Sequence, residues 1–213
     1  APEFLLAVGF VLLYSLMRLV SGAVQVPARV REYRLARRRN KAQTSLIAAL
    51  EAYFEGRYAK AEQAALQSID LGEHQRICAV LAARAAHELR AFERRDEHLA
   101  RAAAAAAEDD PLRIVTQADL LLEERRPQEA LEALKGLPRK HTAALRLELK
   151  AQQQARNWEQ VAALVSELER RNVFDAEQAG KLRAHALAET LKRKARDAHA
   201  LDETWKKVPD AQK

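Results

Sequence analysis

Residues 42–69 read AQTSLIAALEAYFEGRYAKAEQAALQSI. Ala, Leu, Glu, Gln and Lys, all strong helix formers, carry a helix from Ala42 to Phe54. Glu55-Gly56-Arg57 then supplies a turn, and the helical pattern resumes at Tyr58. Two helices joined by so short a turn must cross closely, which requires small side chains at the crossing. Ala49 and Ala61 stand there, and Tyr58 opens the second helix with a ring able to fill the space under the turn.

The same arrangement recurs along the chain. A second pair starts near Arg76, turns near Arg90-Ala91 and resumes at Phe92. A third starts at Pro111, turns at Arg125-Arg126 and resumes at Pro127, a residue suited to a helix N-terminus. A fourth starts near Thr142, turns at Arg156-Asn157 and resumes at Trp158. The starts 42, 76, 111 and 142 lie 34, 35 and 31 residues apart, close to the 34-residue tetratricopeptide period. Ala83 and Ala118 occupy the first-helix crossing position, with Leu149 as the exception. Ala130 occupies the second-helix position, where Arg95 and Val161 depart from the pattern.

A last pair is predicted over 175–194 and 197–208, ending at Pro209, with Trp205 packing back on the preceding repeat. Asp175 and Gln178 have capping-box spacing. Ala102 to Ala107 reads as a helix end, and Glu108-Asp109-Asp110-Pro111 as a helix restart. The predicted fold is all-α: tetratricopeptide-like helical hairpins in a superhelical solenoid over 42–209, followed by a tail at 210–213. An apolar segment (1–26) and a basic helical segment (27–41) precede the repeats.

The net charge of +6 is a local property. Residues 29–41 carry Arg29, Arg31, Arg34, Arg37, Arg38, Arg39 and Lys41 against Glu32 alone. The remainder has 29 basic and 29 acidic residues. A neutral folded body argues against nucleic-acid binding. The one cysteine, Cys78, cannot form an intrachain disulfide.

Residues 4–17, FLLAVGFVLLYSLM, are uncharged. At 14 residues the run falls short of the ~20 that span hydrocarbon. Positive charge follows it rather than precedes it, unlike a signal peptide. The favoured reading is the remaining part of a transmembrane helix, with residues 1–3 vector-derived. Pro27 is expected to end or kink this helix. The basic run beside it marks the cytoplasmic side and suits anionic lipid.

The stretch VREYRLARRRNKAQTSLIAALEAYFEGRYAKAEQ, with HLARAA in the second repeat and NWEQV and TWKKVP later, resembles the N-terminal half of the HemY family of proteobacterial inner-membrane proteins. The likeness runs over nearly the whole chain. It implies N-terminal membrane spans, a tetratricopeptide domain facing the cytoplasm, and an association with late haem or porphyrin metabolism. It carries no catalytic residues. The flavin-dependent oxidases that share the name need a Gly-rich dinucleotide fingerprint after a strand, and no GxGxxG occurs here.

No HExxH, CxxC, Gly-rich phosphate loop or nucleophile motif occurs. The chain is therefore read as a non-enzyme without a resident cofactor. If haem bound directly, His74, Cys78 and His87 would be the ligand candidates, although surface histidines and a small buried cysteine explain them more simply. The favoured surface is the groove lined by first helices, with Tyr53, Arg84, His87, Asp119, Arg146 and Lys150 pointing into it. It suits an acidic or C-terminal peptide segment bound by charge-assisted hydrogen bonds. The expected function is a membrane-anchored scaffold for protein partners such as haem-pathway enzymes, and the alternative is a haem or porphyrin carrier. Oligomerisation through the N-terminal helix is a further expectation.

Overall fold

Once a helix is nucleated, each added residue gains a hydrogen bond, and one missing donor does not stop propagation. α1 accordingly runs unbroken from Pro2 to Phe54. Of the expectation that Pro27 ends or kinks the first helix, the ending is corrected: helical residues continue on both sides of it. The first hairpin has no separate start at Ala42, because its first helix is the last part of α1.

The computed structural model describes residues 2–105 and 110–195, without the side chains of 2–8, 11–12, 16 and 18–29. Expectations for 106–109, for the helix at 197–208 with Trp205, and for the Arg29 side chain lie outside the described residues. Among the described residues there is no strand, and no helix is long and apolar enough to cross a membrane.

After α1 come α2 (Tyr58–Asp70), α3 (Gln75–Glu88), α4 (Phe92–Ala104), α5 (Pro111–Glu123), α6 (Pro127–Lys135), α7 (Thr142–Gln154), α8 (Trp158–Arg170) and α9 (Ala176–Lys194). The predicted second-helix starts at Tyr58, Phe92, Pro127 and Trp158 all fall where the helices begin. Helices pair as α1/α2, α3/α4, α5/α6 and α7/α8, and α9 packs on α8. The first helices also touch in order, α1 to α3 to α5 to α7, forming one layer.

The four hairpin turns share a backbone device. Gly56, Arg90, Arg125 and Arg156 have φ of 76°, 56°, 59° and 57°. Each amide bonds back to the carbonyl three residues earlier, and the next amide to the carbonyl five earlier. This Schellman closure satisfies carbonyls the helix end would leave orphaned. Only the first turn uses glycine, the residue that adopts this conformation without strain.

Packing follows the small-residue pattern. Ala49, Ala83, Ala118, Ala61 and Ala130 are fully buried. Leu149 and Val161, the larger exceptions, join Leu145, Val165 and Leu168 in a core shared by α7, α8 and α9. Another core places Ile114, Leu122, Leu134 and Leu137 between α5 and α6, with Ala144 and Ala151 of α7 against them. The α1–α3 core is leaner, built on Ala49, Ala65, Cys78, Leu81 and Ala82. Caps fix three helix starts: Asp110 accepts from the Arg113 amide, His141 from Ala144 and Asp175 from Gln178.

Candidate binding surface on the first helices

Residues seven apart on a helix return to the same face. Ile77 with Arg84, and Leu112 with Asp119, therefore share the face that Leu50, Tyr53 and Phe54 occupy on α1. All four aliphatic or phenyl side chains are exposed, Phe54 at 84%. Arg146 and Lys150 are exposed one turn apart on α7.

Three of the six predicted groove residues form a chain across helices. Arg84 Nη2 donates to Asp119 Oδ2 at 2.9 Å, and the Arg84 guanidinium also lies near enough to the Tyr53 hydroxyl to favour its ionised form. Burial pushes the Tyr53 phenol up, and Arg84 offsets part of that. Burial alone would lower the Arg84 pKa, but Asp119 and Tyr53 together outweigh it and the net direction is upward. Both shifts are upward, so near neutrality the Tyr53 phenol keeps its proton and Arg84 its charge.

His87 belongs to a different cluster. Its Nε2 lies 3.1 Å from Glu123 and its Nδ1 3.7 Å from Glu124. Arg95 of α4 approaches the same Nδ1 at 3.4 Å and pairs with Glu124. The Arg95 guanidinium also stacks over Phe92. Arg95 is 5% exposed. The place that holds alanine in the first and third hairpins thus holds a buried cation fixed by an acid from α5's C-cap.

The haem-ligand candidates do not converge. His74 is exposed, at the N-cap of α3 in the left-handed region. Cys78 is fully buried, so their spacing of four does not give them a common open face. Both His87 ring nitrogens already face charged side chains. Burial pushes the Cys78 thiol up. Among the described residues no group of three His, Cys, Asp or Glu side chains is placed to hold a metal ion.

Several pairs escaped the sequence reading: Arg39–Glu73, Arg76–Asp110 and Glu62–His98. Their separations of 34, 34 and 36 residues, with 35 for Arg84–Asp119, equal one repeat. Opposite charges one period apart are the signal that finds them.

Two concavities lie elsewhere. A cleft of about 600 Å³ between α4, α5 and α6 is lined by Arg95, Leu99, Arg113, Gln117, Arg126 and Glu129. A groove of about 730 Å³ lies between the basic part of α1 and Leu71 of the α2 C-cap. Arg31, Arg34, Arg37, Arg38 and Lys41 are exposed, whereas Arg39 reaches Glu73 at 3.2 Å.

These features define an all-helical protein of stacked hairpins whose first helices share one ion-paired face. Residues 3–90, the stretch forming nearly all of α1 with α2 and α3, match the family model described as HemY protein N-terminus. HLARAA, NWEQV and TWKKVP, which carried the likeness further along the chain, fall outside that match. No curated protein and no solved structure matches the chain.

Proposed function

We propose that this protein is a tetratricopeptide-like scaffold held at the bacterial inner membrane, with its repeats on the cytoplasmic side. Its first-helix face binds a protein partner in the context of haem or porphyrin metabolism. The observation that carries the reading is the continuous layer α1–α3–α5–α7. It presents exposed Leu50, Phe54, Ile77 and Leu112 beside the exposed cations Arg146 and Lys150, which have no acidic partner among the described residues. Such a surface suits an amphipathic segment with apolar anchors and an acidic end. The family match to HemY supports the metabolic context.

Co-purification of the intact protein from native membranes tests this reading. Phe54→Ser and the pair Arg146→Glu with Lys150→Glu should each release a protein that the unaltered chain retains. Retention unchanged by either variant would sink the groove. The carrier alternative is tested by titrating a porphyrin and following its absorbance. Saturable binding lost on His74→Ala or His87→Ala would favour the carrier over the scaffold.

A further inference from the structure

Residues 31, 34, 38 and 41 fall on one face of α1, spaced by three, four and three. All four are basic, and Leu35 lies among them, 54% exposed. Like charges three or four apart on a helix repel. Elsewhere on the chain, most arginines at the described positions find a carboxylate, as Arg39, Arg76, Arg84 and Arg126 do. Arg31, Arg34, Arg38 and Lys41 have no acidic partner among the described residues, although Glu32 is their neighbour in sequence. The groove therefore gathers positive charge without neutralising it.

Its opposite wall is not basic. Leu71, the C-cap of α2, lines the groove together with Leu35. A site with a cationic side and an apolar floor discriminates between anions: a bare phosphate satisfies only half of it. On the other side of the groove along α1, residues 19–28 read LVSGAVQVPA without charge. Ten helical residues extend about 15 Å, half of a hydrocarbon core about 30 Å thick. Charge and apolar length are thus arranged in the order of a lipid head group and one leaflet of its chains.

We propose that the groove lined by Arg31, Arg34, Leu35, Arg38, Lys41 and Leu71 seats the head group of an anionic phospholipid. The proposal rests on the membrane reading above and adds a defined seat to it. Because Leu71 belongs to the repeat body and Arg39–Glu73 ties α1 to the α2–α3 connection, a lipid held there touches the array as well as the basic helix.

The test is co-sedimentation of the full chain with phosphatidylcholine vesicles, alone or mixed with phosphatidylglycerol or cardiolipin, at physiological salt. The unaltered chain should prefer the anionic vesicles. Arg34→Gln with Arg38→Gln and Lys41→Gln should reduce that preference roughly a hundredfold, since each basic residue near an anionic surface contributes about fivefold. Arg90→Gln with Arg125→Gln and Arg139→Gln removes the same charge elsewhere and should leave most of the preference. Leu71→Ser, which changes no charge, should cost about fivefold, and circular dichroism should show its helices intact.

Equal loss in both charge-matched triple variants would overturn the seat in favour of a general field. So would displacement by millimolar inorganic phosphate, which would mark a free-anion site, or tighter binding of RNA or DNA sensitive to the same three residues. Attachment to both vesicle types without preference would overturn the seat and leave the membrane reading standing. Attachment to neither would overturn both.

Discussion

Glu62 on α2 and His98 on α4 lie 2.9 Å apart, Oε1 to Nε2, with both side chains less than a tenth exposed. The pair joins the second helices of two successive hairpins, and Arg94 approaches Glu62 at 3.3 Å from the solvent side. Among the described residues His98 Nδ1 is buried without a hydrogen-bond partner, so Nε2 is the nitrogen placed to donate. Glu62→Ala should lower unfolding stability by about 1.5–3 kcal/mol, the range for a hydrogen bond to a charged group. Arg94→Ala, which removes a half-exposed guanidinium and leaves the Glu62–His98 bond in place, should cost less than Glu62→Ala. Glu62→Met combined with His98→Leu should recover most of the loss, because no buried polar atom is then left alone. Urea unfolding of the four proteins decides it; a double variant as weak as the single one would contradict the assignment.

Arg95 is a second buried ion, paired with the exposed Asp96 beside it and with Glu124 of the next hairpin. Arg95→Ala installs the residue found at the matching places Ala61 and Ala130, so sterics alone predict no harm. The ion pair predicts a loss of about 3 kcal/mol or more, because Glu124 is left against His87 with only Arg126 to answer it. Thermal unfolding separates the two expectations, at roughly 2–4 °C per kcal/mol for a chain of this size.

The hairpin turns give a prediction of opposite sign. Arg90, Arg125 and Arg156 adopt the left-handed conformation that costs an L-residue about 1–2 kcal/mol. All three are exposed. Arg90→Gly and Arg125→Gly should each raise stability by about 0.5–1 kcal/mol, part of the relief being offset by glycine's greater freedom when unfolded. Gly56→Ala should lower it by a similar amount, although open space surrounds that position. Denaturation midpoints of these variants would show whether the turn conformation is the cause.

Cys78 supplies a pH dependence. Burial holds its thiol pKa above the unfolded value of about 8.5, and the Ser68 hydroxyl offsets part of the rise. The folded chain therefore keeps a proton that the unfolded chain releases, so this contribution is complete below about pH 8.5 and declines as pH rises through the folded pKa. Stability measured from pH 8 to 9.5 should fall more steeply in the unaltered protein than in Cys78→Ala. A thiol reagent should modify Cys78 only at the rate of opening; rapid labelling of the folded protein would contradict its burial.

The hairpins were legible because their signals are local. A helix-forming run, a short polar turn and an aromatic or proline at the restart identify Tyr58, Phe92, Pro127 and Trp158 without knowledge of the fold. The unbroken passage through Pro27 was not legible, since proline's effect depends on how much helix flanks it. The pairing of Arg84 with Asp119 and of His87 with Glu123 was hidden for a different reason. Each looks like a free charge on its own helix, and its partner sits a whole repeat away. The basic run was plain in the sequence. Leu71, the apolar wall facing it, was not, because only the packing of α2 on α1 brings it there.

The continuity of α1 has a mechanical consequence. At 1.5 Å per residue its 53 residues form a rod about 80 Å long, and the first hairpin is built from the far end of that rod. A flexible tether would let the array sample every orientation. A rod transmits angle. Wherever residues 2–30 are gripped, rotation of this one helix about its axis turns the binding face with it, so the direction in which the protein meets a partner is set by the azimuth of a single element.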